Sequence, residues 1–79
     1  MELKNSNTSS SQIGNNIRKL RILKNYKQSQ FAELIGVCPE ALSKIENGKT
    51  DISLSRLGSI AVALDIDIKI LFSDPLDLI

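Results

Sequence analysis

The sequence predicts an all-α domain of five short helices, and three observations carry that prediction. The apolar residues suit helices better than strands. Eleven Ile and eleven Leu stand against two Val and three aromatics, and Val, Tyr, Phe and Trp are the side chains that favour strands. An apolar residue followed five positions later by another recurs four times: Tyr26 with Phe31, Val37 with Leu42, Ile52 with Leu57, and Ile66 with Leu71. That spacing is the hydrophobic staple, which fixes how a chain enters a helix. Gly36 and Gly48 then fall where helices would stop, in the left-handed conformation that glycine adopts without strain. A chain of 79 residues leaves room for one small domain.

The elements follow in order. Residues 1–11 read as a disordered polar arm, because the unbroken Asn, Ser and Thr of 5–11 have nothing to bury. The helical period begins at Ile13 and continues through Ile17, Leu20 and Leu23, with Ser10 or Ser11 as cap and an end near Asn25. The staples imply Lys27, Cys38, Ser53 and Asp67 as the caps of the later helices. Ser53 and Asp67 are good caps, Cys38 is poor and Lys27 is poorer. Pro39 suits the first turn of the third helix, where its missing N–H does no harm. Leu54, Leu57, Ile60, Ala61 and Leu64 give the fourth helix one apolar face, closed by Asp65. A short fifth helix runs from Ile68 to Phe72, and Pro75 keeps the apolar tail 73–79 out of it. The folded domain is expected over residues 12–72.

Composition excludes several classes of function. There is no His, and Cys38 is the only cysteine. Ser-His and Cys-His catalysis, a zinc site and an internal disulfide are therefore all unavailable. The carboxylates are scattered, so no enzyme, no metal and no cofactor is expected. The longest apolar run, 60–64, is far too short to span a membrane, and residues 1–4 show no apolar signal core. A cytoplasmic protein fits. Charge is divided unevenly. Residues 1–49 hold eight basic and four acidic side chains, whereas 50–79 hold two and five. A basic first half suggests an anionic partner on one side.

The second and third helices are brief and joined through Gly36-Val37-Cys38, the arrangement of a helix-turn-helix. Four segments make the pattern specific. These are Ile13-Gly14-x-x-Ile17-Arg18-x-Leu20-Arg21, Gln28-x-x-Phe31-Ala32-x-x-x-Gly36-Val37, Leu42-Ser43-x-Ile45-Glu46-Asn47-Gly48-Lys49, and Leu54-x-x-Leu57-x-x-Ile60-Ala61-x-Ala63-Leu64. The chain resembles the Cro/phage-repressor type, or Xre, family of DNA-binding domains over residues 13–72. The resemblance implies a compact, five-helix, lambda-repressor-like fold. It also implies a sequence-specific transcriptional regulator of double-stranded DNA, a repressor by preference, that reads the major groove with helix 39–47.

The resemblance also assigns roles. Cys38, Pro39, Glu40, Ala41, Ser43 and Lys44 would face the groove, while Leu42 and Ile45 point inward. Lys44 would donate to guanine, Glu40 accept from cytosine and Ala41 touch a thymine methyl; Glu40 would equally suit the positive end of the helix dipole. Gln28 would touch phosphate and brace the third helix. Asn47, Lys49 and Thr50 would hold phosphates in the loop that follows, which sets register rather than sequence. Arg21 and Glu46 would form a structural ion pair. Three departures stand out. Lys27 and Cys38 occupy positions where the family favours Ser or Thr, and Pro39 replaces a polar base-reading side chain.

One recognition helix reads only a few base pairs, so a homodimer is expected. Its contact would be the apolar C-terminal end, represented by Ile68, Leu71, Phe72, Leu76, Leu78 and Ile79. The alternative is an antitoxin or other interaction module on the same fold, with a toxin as partner. Only the short segments 5–11 and 73–79 would then be available to wrap that toxin.

Overall fold

Each helix of this chain stops on a left-handed residue, and each following element starts on a staple. The computed structural model, which describes residues 10–72, shows α1 over Ser10–Leu23, α2 over Gln28–Ile35, α3 over Pro39–Glu46 and α4 over Leu54–Leu64. A five-residue 3₁₀ turn, Ile68–Phe72, closes the order. The left-handed residues are Asn25, Gly36, Gly48 and Asp65, with φ of 66°, 77°, 72° and 59°. Two backbone bonds accompany every stop. At Gly36, for example, the Gly36 N–H donates to Glu33 O and the Val37 N–H to Ala32 O. This is the Schellman arrangement, which satisfies carbonyls the helix end would leave unpaired. At three of the four corners the residue after the stop (Tyr26, Val37 or Ile66) is also the first member of the next staple. One apolar side chain thus closes one helix and opens the next.

The core is built from the second members of those staples. Phe31, Leu42, Leu57 and Leu71 are all buried, and Tyr26, Val37, Ile52 and Ile66 pack half-buried against them. Ile13, Ile17 and Leu20 of α1 and Ile60, Ala61 and Leu64 of α4 complete it. The Tyr26 and Phe31 rings lie 5.6 Å apart. The caps divide as their chemistry requires. Ser53 Oγ accepts from Arg56 N, and Asp67 Oδ1 accepts from Lys69 N. Lys27 has no lone pair to offer, and the bond is made from the other direction, with Gln30 Oε1 accepting from Lys27 N at 2.9 Å.

The structure departs from the sequence expectations at several points. Ser10 and Ser11 belong to the first turn of α1, so the helix begins inside the stretch expected as arm; residues 1–9 lie outside the described residues. Leu23 and Leu54 are exposed, at 68% and 74%. Each sits at a helix end, where the apolar face runs past the core. Asn16 and Arg21 occupy the buried face of α1 alongside its three apolar residues. The fifth element is 3₁₀ rather than α, as the Ile70 N–H to Asp67 O bond shows. Leu71, expected at a dimer contact, is wholly buried in the protomer's own core, because the staple from Ile66 turns it inward.

Gly14 lets α1 cross α3 at backbone distance. A Cβ there would overlap Ile45 O and lie 2.9 Å from Glu46 O, and neither carbonyl can move without dislodging α3. Gly14→Ala should therefore destabilise the fold by about 1–3 kcal/mol through overpacking, although Ala is the better helix former by about 1 kcal/mol. Urea unfolding measures this directly. A more stable variant would mean that the crossing is looser than described.

Candidate nucleic-acid interface

Three helix ends meet at one carboxylate. Glu46, the last residue of α3, is buried, with its side chain 2% exposed. Arg21 of α1 reaches it with two bonds, Nε to Oε2 at 2.7 Å and Nη2 to Oε1 at 3.2 Å. Gln28, the first residue of α2, donates its Nε2–H to Glu46 Oε1 at 3.0 Å. Arg21 Nη1 donates to Tyr26 O, at 2.8 Å, in the link between α1 and α2. The fork geometry of Arg against a carboxylate fixes direction as well as distance. Since both charges are hydrogen-bonded on several sides, the burial cost of each is met within the cluster. Half-buried Gln28 thus has its amide turned to the clamp that holds the end of α3.

The remaining candidate residues surround that fixed helix. Cys38, Pro39, Glu40 and Lys44 are exposed, and Ala41 and Ser43 are half-buried. Leu42 and Ile45, the inward pair, are buried. No side chain caps the start of α3: Cys38 is its N-cap without a side-chain bond, and Pro39 stands at the first position. The exposed first turn therefore keeps backbone N–H groups available to an outside acceptor. At the other end the Lys49 N–H bonds Lys44 O and the Gly48 N–H bonds Ile45 O. That turn presents Asn47, Lys49 and Thr50 as an exposed group directly beyond α3. The Asn47 amide contacts Ser43 Oγ at 3.4 Å, one turn back. Of the expected dimer residues, Ile68 is half-buried and Phe72 is exposed, while Leu76, Leu78 and Ile79 lie outside the described residues.

Two polar ties escaped the sequence reading. Asn16 Nδ2 donates to Leu71 O at 2.9 Å and pins the 3₁₀ turn to α1. The clue was available, for position 16 lies between Ile13 and Leu20 at helical spacing. Arg56 Nη1 donates to Ile35 O at 2.7 Å and ties α4 to the end of α2. A single Arg in the first turn of a helix gives no sequence signal for that reach. Among the described residues no group of His, Cys, Asp and Glu could hold a metal, and no helix is long and apolar enough to cross a membrane.

The helix-turn-helix family model HTH_3 matches residues 17–71. The chain belongs to the helix-turn-helix family. It is a DNA-binding transcriptional regulator, and its relatives carry the corresponding names. Control protein C.MunI from a Mycoplasma species is 41% identical over 63 residues, spanning 78% of this chain and 85% of that protein. An uncharacterized transcriptional regulator in the ATPase CF(0) region of Rhodospirillum rubrum is 39% identical over 62 residues, where the match spans 78% of this chain but only 57% of that protein. Among solved structures, the restriction-modification controller protein C.AhdI from Aeromonas hydrophila superposes with a TM-score of 0.76 at 32% identity, covering 80% of this chain and 96% of that one.

In this helix-turn-helix the Arg21–Glu46 pair should dominate stability among the polar contacts. Arg21→Ala or Glu46→Ala leaves the other charge buried and should cost about 3–5 kcal/mol, whereas Lys49→Ala at the exposed loop should change stability by less than about 0.5 kcal/mol. The double variant Arg21→Met/Glu46→Leu should be far less destabilised than the two single losses together. Thermal melts of the four variants check this, and an Arg21→Ala variant that melts with the parent would contradict it.

Proposed function

We propose that this regulator binds duplex DNA sequence-specifically as a homodimer, with α3 in the major groove, and represses transcription where it binds. The observation that carries the reading is the combination at α3. Its inner side and last residue are locked by the core and the clamp, while its first turn and outer side remain exposed with Lys44 on them. A helix held in this way presents side chains to base edges in one fixed orientation. In this reading Lys44 donates to guanine, Ser43 and Glu40 make the neighbouring edge contacts, and Ala41 meets a methyl group. Pro39 and Cys38 pack the first turn against the duplex, and Pro39 offers the bases no hydrogen bond. Gln28, Asn47, Lys49 and Thr50 hold phosphates on either side.

Two half-sites about 34–36 Å apart would need two protomers. The contact between them would run through exposed Phe72, half-buried Ile68 and the tail beyond, with Leu71 excluded because it serves the protomer's own core. The similarity spans most of a control protein and of a restriction-modification controller protein, which favours a regulatory role of the controller kind. The protein acts by binding rather than by catalysis, in the cytoplasm where the DNA lies.

A salt series of duplex binding tests the reading. Lys44→Ala should weaken binding unequally across DNA sequences, while Lys49→Ala should weaken all sequences alike and lower the salt slope by about one unit per protomer. The same titration should saturate at two protomers per duplex. Equal, sequence-blind losses from both variants would remove Lys44 as a base reader, and saturation at one protomer would remove the dimer.

A further inference from the structure

We infer that Arg56 is a DNA-backbone contact, holding one phosphate jointly with Thr50 in the hollow between α3 and the start of α4. The inference rests on the proposed docking of α3 and extends it to a helix outside the motif. A concavity of about 300 Å³, open to solvent, lies beside α3 and is lined by Ala41, Lys44, Thr50, Asp51, Ser53 and Arg56, among others. That leaves room for a phosphate group and its solvent. Because Lys44 and Ala41 belong to both the hollow and the outer part of α3, the hollow adjoins the surface that meets DNA.

The guanidinium of Arg56 is held in place before any ligand arrives. Its Nη1 donates to Ile35 O at 2.7 Å, and the side chain is half-buried along that path. Arg has five N–H donors in one rigid plane. Anchoring one of them at the end of α2 therefore fixes where the others point, and Ile35 uses only one. Lys44 and Arg56 thus line one hollow as two cations beside a single carboxylate, Asp51. Asp51 has a polar interaction of its own. Two cations against one carboxylate leave the hollow net positive, which favours an anionic ligand. A tetrahedral oxyanion matches the donors present, one guanidinium edge and the hydroxyl of Thr50, while Lys44 beside them adds positive potential. The phosphodiesters of a duplex docked on α3 supply that chemistry without further assumption.

Arg56 also closes the end of α2, so a loss of binding alone would not separate the two roles. The salt slope does, because it counts neutralised phosphates. With a duplex that the parent binds, and at a temperature where every variant is fully folded, Arg56→Gln should lose roughly tenfold in affinity for all sequences alike. Its salt slope should fall by about one unit per bound protomer. Arg56→Lys keeps the charge but not the fork, and should keep the parent slope even where its melting temperature drops. An Arg56→Gln variant with a lower melting point and the parent slope would reduce Arg56 to a structural tie and overturn the proposal. A parent that binds no duplex would overturn the proposed function and this inference together. Inorganic phosphate titrated into the DNA-free protein, followed at the Arg56 Nε–H resonance, should bind only weakly, in the millimolar range. Saturation at micromolar phosphate would reassign the hollow to a free phosphate ligand and overturn the backbone role.

Discussion

The buried carboxylate of Glu46 is the point on which the rest of this molecule depends. It ends α3, and it receives donors from the last turn of α1 and the first residue of α2. Three helices that pack through apolar contacts are given one mutual orientation. Apolar packing alone is tolerant of small shifts, since side chains of similar volume repack at modest cost. A bidentate ion pair with a third donor tolerates much less, because displacement leaves a buried charge unpaired. The last turn of α3 is thereby held to the body, and its first turn and outer side are left for a partner.

Around that point the corners supply the frame. Left-handed stops at Asn25, Gly36, Gly48 and Asp65 bend the chain, and the staples drive Phe31, Leu42, Leu57 and Leu71 into one core. Gly14 brings α1 against the end of α3 closely enough for Arg21 to reach Glu46. Asn16 and Arg56 add two further ties, from α1 to the closing 3₁₀ turn and from α4 to the end of α2. Both are side chain to carbonyl bonds, and each satisfies an acceptor that has no partner within its own helix. Stability and presentation are therefore divided between the two ends of α3: the C-terminal end is committed to the body and the N-terminal end is exposed.

Much of this was legible in the residues. Staple spacing located three helix starts to the residue, because the pairing of N′ with N4 depends only on local geometry. Gly36 and Gly48 marked their stops for the same reason. The start of α1 was misplaced, because Ser10 and Ser11 look alike as caps and no staple precedes them. Leu23 and Leu54 were expected on apolar faces, yet a face follows the helix past the point where the core ends, and spacing alone carries no record of that end. Leu71 was expected in an interface because a cluster of apolar residues near a chain end does not reveal which of them turns inward; the staple with Ile66 was the better guide. Asn16 shows the reverse case, a polar residue inside an apolar period that marked a buried bond. The exposed set at Cys38, Pro39, Glu40 and Lys44 followed from the same helical period that buried Leu42 and Ile45. The reach of Arg56 to Ile35 joins elements 21 residues apart, and no local pattern encodes it.

In the proposed function the clamp sets the pose of α3, and through it the reading of DNA, beyond what it adds to stability. The most direct test is the affinity of the folded Arg21→Met/Glu46→Leu variant for a duplex that the parent binds specifically, with a sequence-scrambled duplex as control. Every residue on the exposed side of α3 is intact in this variant. If the clamp sets the pose, specific affinity should fall at least roughly tenfold while scrambled-duplex binding changes little, since phosphate contacts tolerate small shifts that base contacts do not. A folded double variant that keeps the parent's specific affinity would show instead that apolar packing alone orients α3 and that the clamp does not set its pose.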